Sequence, residues 1–255
     1  MNRKTRPARL LRLFPAVTLL AVCVLPLAAQ EKTEPSLPPP PRYLQRSPDS
    51  FLAELPPPPE PGSPAAQADL NTVLQVQRWR TPDQVQWARQ VASGGPFDNA
   101  DILGPWFTAQ NLPRLAALFA QLDRDVHPVA SKSKKHFARL RPPQVDPGVH
   151  PVVELPFSTS YPSGHTLYLF MEAGVLAEIF PERRPELFER AGKAAWGRVI
   201  GGVHFPTDLV GGRLLAGAIV TDLLKSDDFR AEIARCREEA APFLAKPAPD
   251  RRGND

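Results

Sequence analysis

Cysteine is scarce in this sequence, with two in 255 residues. Cys23 lies in an N-terminal apolar stretch, and Cys236 on its own cannot form a disulfide within the chain. No group of cysteines and histidines has the spacing of a zinc site. These absences exclude a disulfide scaffold and a structural zinc centre. We therefore expect the fold to be held by packing of its hydrophobic residues, which make up 42% of the chain.

Long apolar runs are absent after the first 30 residues. The stretch from Leu214 to Thr221 has eight uncharged residues, whereas a helix needs about 20 to cross a bilayer. The N-terminal stretch from Leu13 to Leu27 follows five basic residues and precedes two alanines. This pattern is typical of a secretory signal peptide. We predict that residues 1–29 are cleaved and that the mature protein is periplasmic or secreted, without a membrane span. A retained N-terminal anchor and a lipoprotein modified at Cys23 are the alternatives.

An excess of positive charge is also absent from the predicted mature protein. The whole chain has 31 Lys and Arg against 27 Asp and Glu, and removal of the five basic residues of the signal leaves 26. Nucleic-acid-binding domains are usually basic, so we expect no nucleic acid among the partners.

Proline, in contrast, is plentiful, with 32 residues. Twelve of them lie between residues 35 and 64, and runs such as Pro56–Pro59 favour polyproline II and exclude helix interiors. We predict a Pro-rich arm or linker over residues 30–64. The apolar residues Phe51, Leu52 and Leu55 favour an arm that packs on the domain over a free spacer.

The sequence pattern becomes helical from residue 65 onward. Thr81-Pro82-Asp83 is typical of a helix start, because proline is well suited to the first helical position. Residues 167–179 are apolar on nearly all sides, which predicts a buried central helix. Further helices are predicted from the pattern around Leu115–Leu122, at residues 185–196, at 208–224 and at 228–241. We expect one all-α, helical-bundle domain over residues 65–245, followed by a disordered tail at 246–255.

A short pattern, Pro162-Ser163-Gly164-His165, immediately precedes the predicted central helix. Ser163 is a good N-cap, and Gly164 allows an anion to approach the backbone closely. The N–H groups at a helix N-terminus bind phosphate readily. The plain alternative is a helix cap without a ligand.

Three basic residues are candidates to hold the same anion. Lys134 and Arg141 are seven apart, which on one helix places them on the same face two turns apart. Arg198 lies beside Gly197, and its planar guanidinium suits two oxygens of one phosphate. The alternative is a solvated basic surface, which nearby Lys132, Lys135 and Arg139 favour.

Two histidines and one aspartate complete the candidate site. His204 and Asp208 are four apart, so the start of a helix there brings the carboxylate to the imidazole. A carboxylate on one ring nitrogen fixes the tautomer and leaves the other nitrogen nucleophilic. His165, at the predicted anion site, is a candidate general acid. His127, His136 and His150 match no pattern, and we expect them to be surface or core residues.

These motifs, in this order, resemble the signature of the phosphatidic acid phosphatase type 2 and vanadium haloperoxidase superfamily. Within it the chain looks most like the bacterial class A non-specific acid phosphatases, from about residue 50 to 245. The matching residues are Lys134, Arg141, Pro142, Pro162, Ser163, Gly164, His165, Arg198, His204 and Asp208.

The resemblance implies a vanadate-inhibited acid phosphatase that uses no metal or other cofactor, hydrolyses small phosphate monoesters and forms a homo-oligomer. It implies that Lys134, Arg141, Arg198, Ser163 and Gly164 bind the phosphoryl group. It also implies that His204 forms a phosphohistidine, oriented by Asp208, and that His165 protonates the leaving alcohol. The chain departs from the family pattern at Gly197, where serine is usual, and at Phe205, where tryptophan is common. Both departures leave substrate preference open.

Three other functions stay open at this point. One is a vanadate-dependent haloperoxidase, since vanadate would occupy the same anion site. Another is a lipid phosphate phosphatase, which the lack of spanning helices disfavours. The alternative without catalysis is an anion-binding helical protein.

Overall fold

The computed structural model describes residues 41–244, so the predicted signal peptide and C-terminal tail lie outside the described residues. The regular secondary structure of the described part is helical, and we find no strand in it. The helices are α1 (Pro64–Trp79), α2 (Pro82–Ala92), α3 (Ala100–Leu103), α4 (Pro113–Phe137), α5 (Pro142–Val145), α6 (Gly164–Ile179), α7 (Arg184–Ile200), α8 (Pro206–Leu223) and α9 (Asp227–Leu244). Three 3-10 helices accompany them at Pro48–Glu54, Pro96–Asn99 and Pro181–Arg183. The all-α prediction is confirmed.

The buried central helix predicted from the apolar pattern is α6. It packs most extensively against α7 and α8 and also contacts α4 and α9. A helix that is apolar all round must be covered on every side, since each exposed apolar face would cost free energy. Leu167, Val175 and Leu176 are completely buried. The N-terminus of α6 is thereby held at a defined place among the other helices.

The crossing of α6 and α8 is unusually close at their N-terminal ends. A Cβ atom at Gly212 of α8 would lie 2.6 Å from the backbone oxygen of Ser163. Only glycine allows this approach, which brings the start of α8 against the residue that caps α6. The segments that hold Ser163 and Asp208 are therefore neighbours in the fold.

The segment before α1 packs on the helices through both its side chains and its backbone. Phe51 and Leu55 are buried in the main core, as is Tyr43. Asp125 of α4 accepts hydrogen bonds from the backbone N–H groups of Arg42 and Tyr43. Asp222 of α8 likewise accepts from the N–H groups of Gln45 and Arg46. Buried carboxylates thus supply hydrogen-bond acceptors for backbone N–H groups that lie outside any helix or sheet.

One prediction about local structure is wrong. Lys134 and Arg141 do not share a helix, because α4 ends at Phe137. Ala138 adopts the left-handed conformation with φ 48°, which stops the helix. Arg141 is extended and caps α5, at the start of which lie two prolines. The two side chains meet through this reversal of the chain and not through helical spacing.

Candidate active site

The N-terminus of α6 forms the floor of the site. The Ser163 hydroxyl caps the helix by accepting from the N–H of Thr166 at 3.3 Å. The backbone N–H of Ser163 donates to the carbonyl oxygen of Asp208 at 3.0 Å. Ser163 therefore uses its own N–H inside the protein and supports the turn with its hydroxyl. Its part in binding the phosphoryl group stays a prediction. The N–H groups of Gly164 and His165, in the first helical turn, have no acceptor within the helix.

Three cationic side chains from three different elements surround this turn. Lys134 comes from the last turn of α4, Arg141 from the cap of α5 and Arg198 from the last turn of α7. Arg141 and Arg198 are each 2% exposed. Lys134 Cε would lie 3.6 Å from a Cβ atom at Gly164, which puts the lysine directly beside the turn.

These cations are held by neutral partners. Lys134 Nζ donates to the carbonyl oxygen of Thr159 at 2.7 Å, and Arg141 donates to those of Ser158 and Val203, each at 2.7 Å. The buried Nε of Arg198 has no hydrogen-bond partner among residues 41–244. None of the three cations forms a salt bridge within that range. A buried cation is normally paired, so a group of three without a carboxylate is arranged for an external anion.

The pKa values of the three cations reflect this crowding. Burial, with the neighbouring Arg141 and Arg198, lowers the pKa of Lys134 to about 7, although Asp208 opposes the shift. Burial is the main cause that lowers the pKa values of Arg141 and Arg198 to about 10 each. A negative charge bound among these cations would offset both the free-energy cost of burying them and their mutual repulsion.

His204 faces the cations with one nitrogen and Asp208 with the other. Its Nδ1 lies 3.1 Å from Asp208 Oδ2, and its Nε2 lies 3.1 Å from Nη1 of Arg141. Since a carboxylate only accepts, the proton of the neutral ring is on Nδ1, and the lone pair on Nε2 accepts from Nη1 of Arg141. Burial lowers the pKa of His204 to about 3, against the opposing effect of Asp208. The imidazole is therefore neutral and its Nε2 is a nucleophile directed at the cations.

Asp208 is fixed by three further donors. Its Oδ2 accepts from the hydroxyl of Ser160 and from the N–H of Phe205, the latter at 2.8 Å. Its Oδ1 accepts from Nη1 of Arg139 at 2.7 Å, and Asp208 itself is fully buried. Burial alone would raise the pKa of Asp208, but the hydrogen bond and charge of His204, together with Arg139 and Ser160, hold it below its ordinary value.

Arg139 was missed by the sequence reasoning, which treated it as part of a solvated surface. Its guanidinium bonds Asp208 and also Asp69 of α1, the latter at 2.7 Å. It lies 4.1 Å from the centroid of the Phe205 ring, a cation–π contact. Thr207 donates to the same Asp69 carboxylate. No local pattern could have revealed this role, because the partners are about 70 positions away in the chain.

His165 has a different environment from His204. Its Nε2 lies 2.9 Å from the carbonyl oxygen of Ala92, so Nε2 carries the ring proton and Nδ1 is the nitrogen that titrates. Burial, then the charge of Arg198, lowers the pKa of His165 to about 4, against the opposing bond to Ala92. Without a bound anion, the low pKa values of His165 and His204 therefore favour neutral rings at both positions near pH 6.

Five of the eight predicted site residues line one cavity of about 570 Å³. Lys134, Arg141, Gly164, His165 and His204 line it. Ser163, Arg198 and Asp208 are not among its lining residues and lie behind them, where Ser163 and Asp208 support the turn and the imidazole. The side chains of His127, His136 and His150 are exposed and lie outside this cavity.

The two departures from the family pattern lie behind the cavity wall. A Cβ atom at Gly197 would be 2.6 Å from Val91 Cγ2, so glycine here allows α7 to pack on α2. Phe205 is buried beneath the Arg139 guanidinium. Neither side chain lines the cavity.

Metal ligands do not gather in the part of the chain that the structure describes. Within residues 41–244 no group of three or more His, Cys, Asp or Glu side chains is arranged to hold a metal ion. None of the described helices is long and apolar enough to span a membrane.

Comparison with known proteins assigns the class that this fold and site define. Residues 116–230, which contain every predicted site residue, match the PAP2 superfamily, and the chain carries a PAP2-superfamily domain. Over most of its length the chain is similar to non-specific acid phosphatases. It is 28% identical to the one from Providencia stuartii over 247 residues, which cover 91% of this chain and 98% of that protein. It is 29% identical to the one from Salmonella typhi, over 72% of this chain and 78% of that protein.

Two further comparisons concern activity class and fold. An acid phosphatase of Zymomonas mobilis is 28% identical over 83% of this chain and 81% of its own length. The crystal structure of a bacterial vanadium-dependent iodoperoxidase matches with a TM-score of 0.50 at 19% identity, over 71% of this chain. The chain spans 53% of the peroxidase, so this match shows a shared helical fold and nothing about activity.

Proposed function

We propose that this protein is an exported acid phosphatase that hydrolyses phosphate monoesters through a phosphohistidine at His204, without a metal ion. One observation carries the proposal. A buried, neutral imidazole directs Nε2 at a group of cations without carboxylate partners, with Arg141 Nη1 3.1 Å away. The PAP2-superfamily domain and the acid phosphatase relatives support the same class of enzyme.

Binding of the ester places its phosphoryl oxygens among Lys134, Arg141 and Arg198 and against the N–H groups of the α6 turn. The transition state of phosphoryl transfer spreads negative charge over three oxygens. Preorganised buried cations stabilise that charge without reorganisation of solvent. In many other phosphoryl-transfer enzymes Mg²⁺ supplies the positive charge. We propose that the reaction here needs no metal, because the three cationic side chains supply that charge.

In the first half of the reaction, Nε2 of His204 attacks phosphorus and the bond between phosphorus and the ester oxygen breaks. The bonding electrons leave with the ester oxygen, and a proton from Nδ1 of His165 converts it to the alcohol. The negative charge of the substrate raises the pKa of His165 from its low value and so supplies the protonated form. Asp208 stabilises the positive charge that develops on His204.

In the second half, water attacks the phosphohistidine. His165 takes a proton from the water, the phosphorus–nitrogen bond breaks, and its electrons return to Nε2 of His204. Inorganic phosphate leaves and both histidines are restored. The balance is one ester and one water consumed, with one alcohol and one phosphate released.

Hydrolysis of 4-nitrophenyl phosphate tests the proposal directly. We expect turnover below pH 7 that is unchanged by EDTA and inhibited by orthovanadate. His204→Ala should lower kcat by roughly 10⁴-fold, because the nucleophile is lost. Rapid quenching in alkali with labelled substrate should trap an acid-labile phosphate on wild-type protein and none on His204→Ala.

His136→Ala is the matched control, since His136 is exposed and outside the cavity. It should retain wild-type kcat and phosphate trapping. Full turnover by His204→Ala, or trapped phosphate on another residue, would show that the nucleophile is misassigned.

The other functions predict different outcomes in the same preparation. A haloperoxidase would oxidise halide with peroxide only after loading with vanadate. A lipid phosphatase would prefer phosphatidate in detergent micelles to soluble esters. A protein that only binds anions would take up phosphate without releasing it from any ester.

Export and assembly form a separate part of the proposal. The signal peptide predicted for residues 1–29 lies outside the described residues. N-terminal sequencing of protein recovered from a periplasmic fraction should begin at or near Gln30. Sedimentation analysis of the mature protein tests the expected homo-oligomer.

A further inference from the structure

The cavity continues well beyond the phosphate-binding end. His165, Tyr168, Leu169 and Glu172 all line it. They occupy positions i, i+3, i+4 and i+7 of α6 and therefore share one face of the helix. At 1.5 Å of rise per residue, Glu172 is about 10 Å farther along the axis than His165. The cavity thus extends along α6, with the phosphate end at the helix N-terminus.

Much of the lining of this cavity is apolar. Its apolar lining residues include Val91, Phe97, Ala116, Phe119, Ala120 and Leu169. A volume of about 570 Å³ falls in the range of pockets that bury a whole organic ligand. A phosphoryl group occupies only one end, so the apolar part is available to the alcohol portion of an ester.

The far end is acidic and polar. Asp123 of α4 and Glu172 of α6 line it, together with Tyr168. Asp98 is close enough to act on Glu172, and the cation on that side is Arg190, which is already paired with Asp101 at 3.0 Å. The far end therefore carries an excess of carboxyl groups, opposite in sign to the phosphate end.

Two polar groups there lack a full set of partners. The Tyr168 hydroxyl is buried and meets no group among residues 41–244 in good hydrogen-bonding geometry. Asp123 nevertheless lies close enough to raise the pKa of Tyr168 through its charge and a weak hydrogen bond, and the charge of Glu172 acts in the same direction. Burial, with Asp98 and Asp123, raises the pKa of Glu172 to about 8 against the effect of Arg190. Both groups would gain from a hydrogen-bond donor or a positive charge in the cavity.

We propose that Asp123, Glu172 and Tyr168 form a leaving-group subsite that selects phosphate monoesters of apolar or aromatic alcohols bearing an amine. It disfavours monoesters that carry a second negative charge. This inference rests on the proposed phosphatase function and adds the class of substrate to it.

Three aryl phosphates that differ only in the end of the side chain test the subsite. They are 4-(2-aminoethyl)phenyl phosphate, 4-ethylphenyl phosphate and 3-(4-phosphonooxyphenyl)propanoate, which are cationic, neutral and anionic at that end. We expect kcat/KM at pH 6 to fall in that order, with about a tenfold difference between the first and the last. The ratio of kcat/KM for the cationic ester to kcat/KM for the anionic ester cancels effects on the phosphoryl group, which the two esters share.

Asp123→Asn should reduce this ratio at pH 6. Glu172→Gln should reduce it at pH 8.5, where Glu172 is ionised, and the double variant should bring it close to one at that pH. Glu178→Gln is the matched control. It lies on the same helix but outside the cavity, where its side chain pairs with Arg184. It should keep both the ratio and the overall activity of the wild type.

The dependence of the ratio on pH gives a second readout. Glu172 is protonated below its pKa of about 8 and ionised above it. The ratio should therefore rise between pH 6 and 8.5 in the wild type and stay flat in Glu172→Gln. Asp98, Asp123 and Arg190 face the same group, but none of them is changed in this comparison.

The outcomes separate the inference from the function on which it rests. Absence of hydrolysis for all three esters would overturn the phosphatase proposal. Hydrolysis of all three with equal kcat/KM, or a ratio unaffected by Asp123→Asn and Glu172→Gln, would overturn the subsite alone. Circular dichroism verifies that the variants are folded, and Asp123→Asn, at an exposed position, provides a test if Glu172→Gln is unstable.

Discussion

At the level of single residues, the site contains two kinds of cationic side chain, one paired with carboxylates and the other not. Arg139 has two carboxylate partners, whereas Lys134, Arg141 and Arg198 have none among the described residues. The carboxylates of the site therefore orient the nucleophile, and among the described residues none of them forms a salt bridge with a phosphate-binding cation. The direct consequence is that the charge of Lys134, the cation with the lowest pKa, depends on pH near neutrality.

The pKa of Lys134 predicts the pH above which activity falls. Its pKa of about 7 means that it is charged below pH 7 and loses its proton above it. We expect kcat/KM for a neutral aryl phosphate to fall as pH rises through about 7, because the free enzyme then lacks one phosphate-binding cation. The acid limit should lie near pH 3, where His204 becomes protonated in the free enzyme and loses its nucleophilic nitrogen.

Lys134→Arg tests this assignment, because a guanidinium keeps its charge across the same range. The alkaline limb should move upward in pH, even if the maximal rate is lower. Lys134→Met should remove the limb together with most of the activity. An unchanged alkaline limb in Lys134→Arg would assign the titration to another group.

At the scale of the elements, the site depends on the approach of two helix N-termini. Ser163 caps α6, Asp208 lies in the first turn of α8, and the Ser163 N–H bonds the Asp208 carbonyl oxygen. Gly212 makes the approach possible, since any side chain there would meet Ser163. The spacing of α6 and α8 therefore sets the distance between the anion-binding turn and His204.

Gly212→Ala should separate these two helix ends. A Cβ atom 2.6 Å from a backbone oxygen forces a shift that costs about 1–3 kcal/mol of stability. We also expect a loss of kcat larger than the change in KM, because the turn and the nucleophile move apart. Urea unfolding and steady-state kinetics measure the two effects.

Gly217→Ala, on the same helix, is the control. No atom lies within 4 Å of a Cβ atom there, so alanine should stabilise the helix by up to about 1 kcal/mol and leave kinetics unchanged. Equal effects of the two substitutions would show that the close crossing of α6 and α8 does not account for the loss of stability and of kcat.

At the scale of the whole molecule, the segment before α1 is part of the folded unit. Phe51 is fully buried in the main core, and buried carboxylates on α4 and α8 hold the backbone of residues 42–46. This packing places the proline-rich stretch against the helices, and the Tyr161 hydroxyl donates to the carbonyl oxygen of Pro56. The segment thus contacts the loop that leads into the α6 turn.

Phe51→Ala should lower the free energy of unfolding by about 3–5 kcal/mol, as removal of a buried aromatic side chain from a core does. Phe157→Ala is the matched substitution at a fully exposed phenylalanine, and it should change stability by less than about 0.5 kcal/mol. Thermal unfolding followed by circular dichroism compares them. Similar melting temperatures for the two variants would mean that the segment is not part of the cooperative unit.

Much of the fold could be predicted because helical signals are local. Thr81 caps α2 through a capping box, the apolar pattern of residues 167–179 gives α6, and Pro206 begins α8 so that Asp208 reaches His204. Each of these depends on neighbours within about one helical turn. The end of α4 was misjudged because the left-handed residue that stops it is an alanine, which carries no such signal.

The all-α class, the capped turn and the spacing of His204 and Asp208 could be read from the order of the amino acids, because these features follow from side chains a few positions apart. The packing of the helices, in contrast, establishes that Arg139, itself bonded to Asp69, holds Asp208. It also establishes that the Ser163 N–H bonds the Asp208 carbonyl oxygen of α8, and that Asp123 and Glu172 line the far end of the cavity. Those contacts join residues about 45 to 70 positions apart. They depend on how the helices cross, and crossing geometry is set by the packing of the whole core.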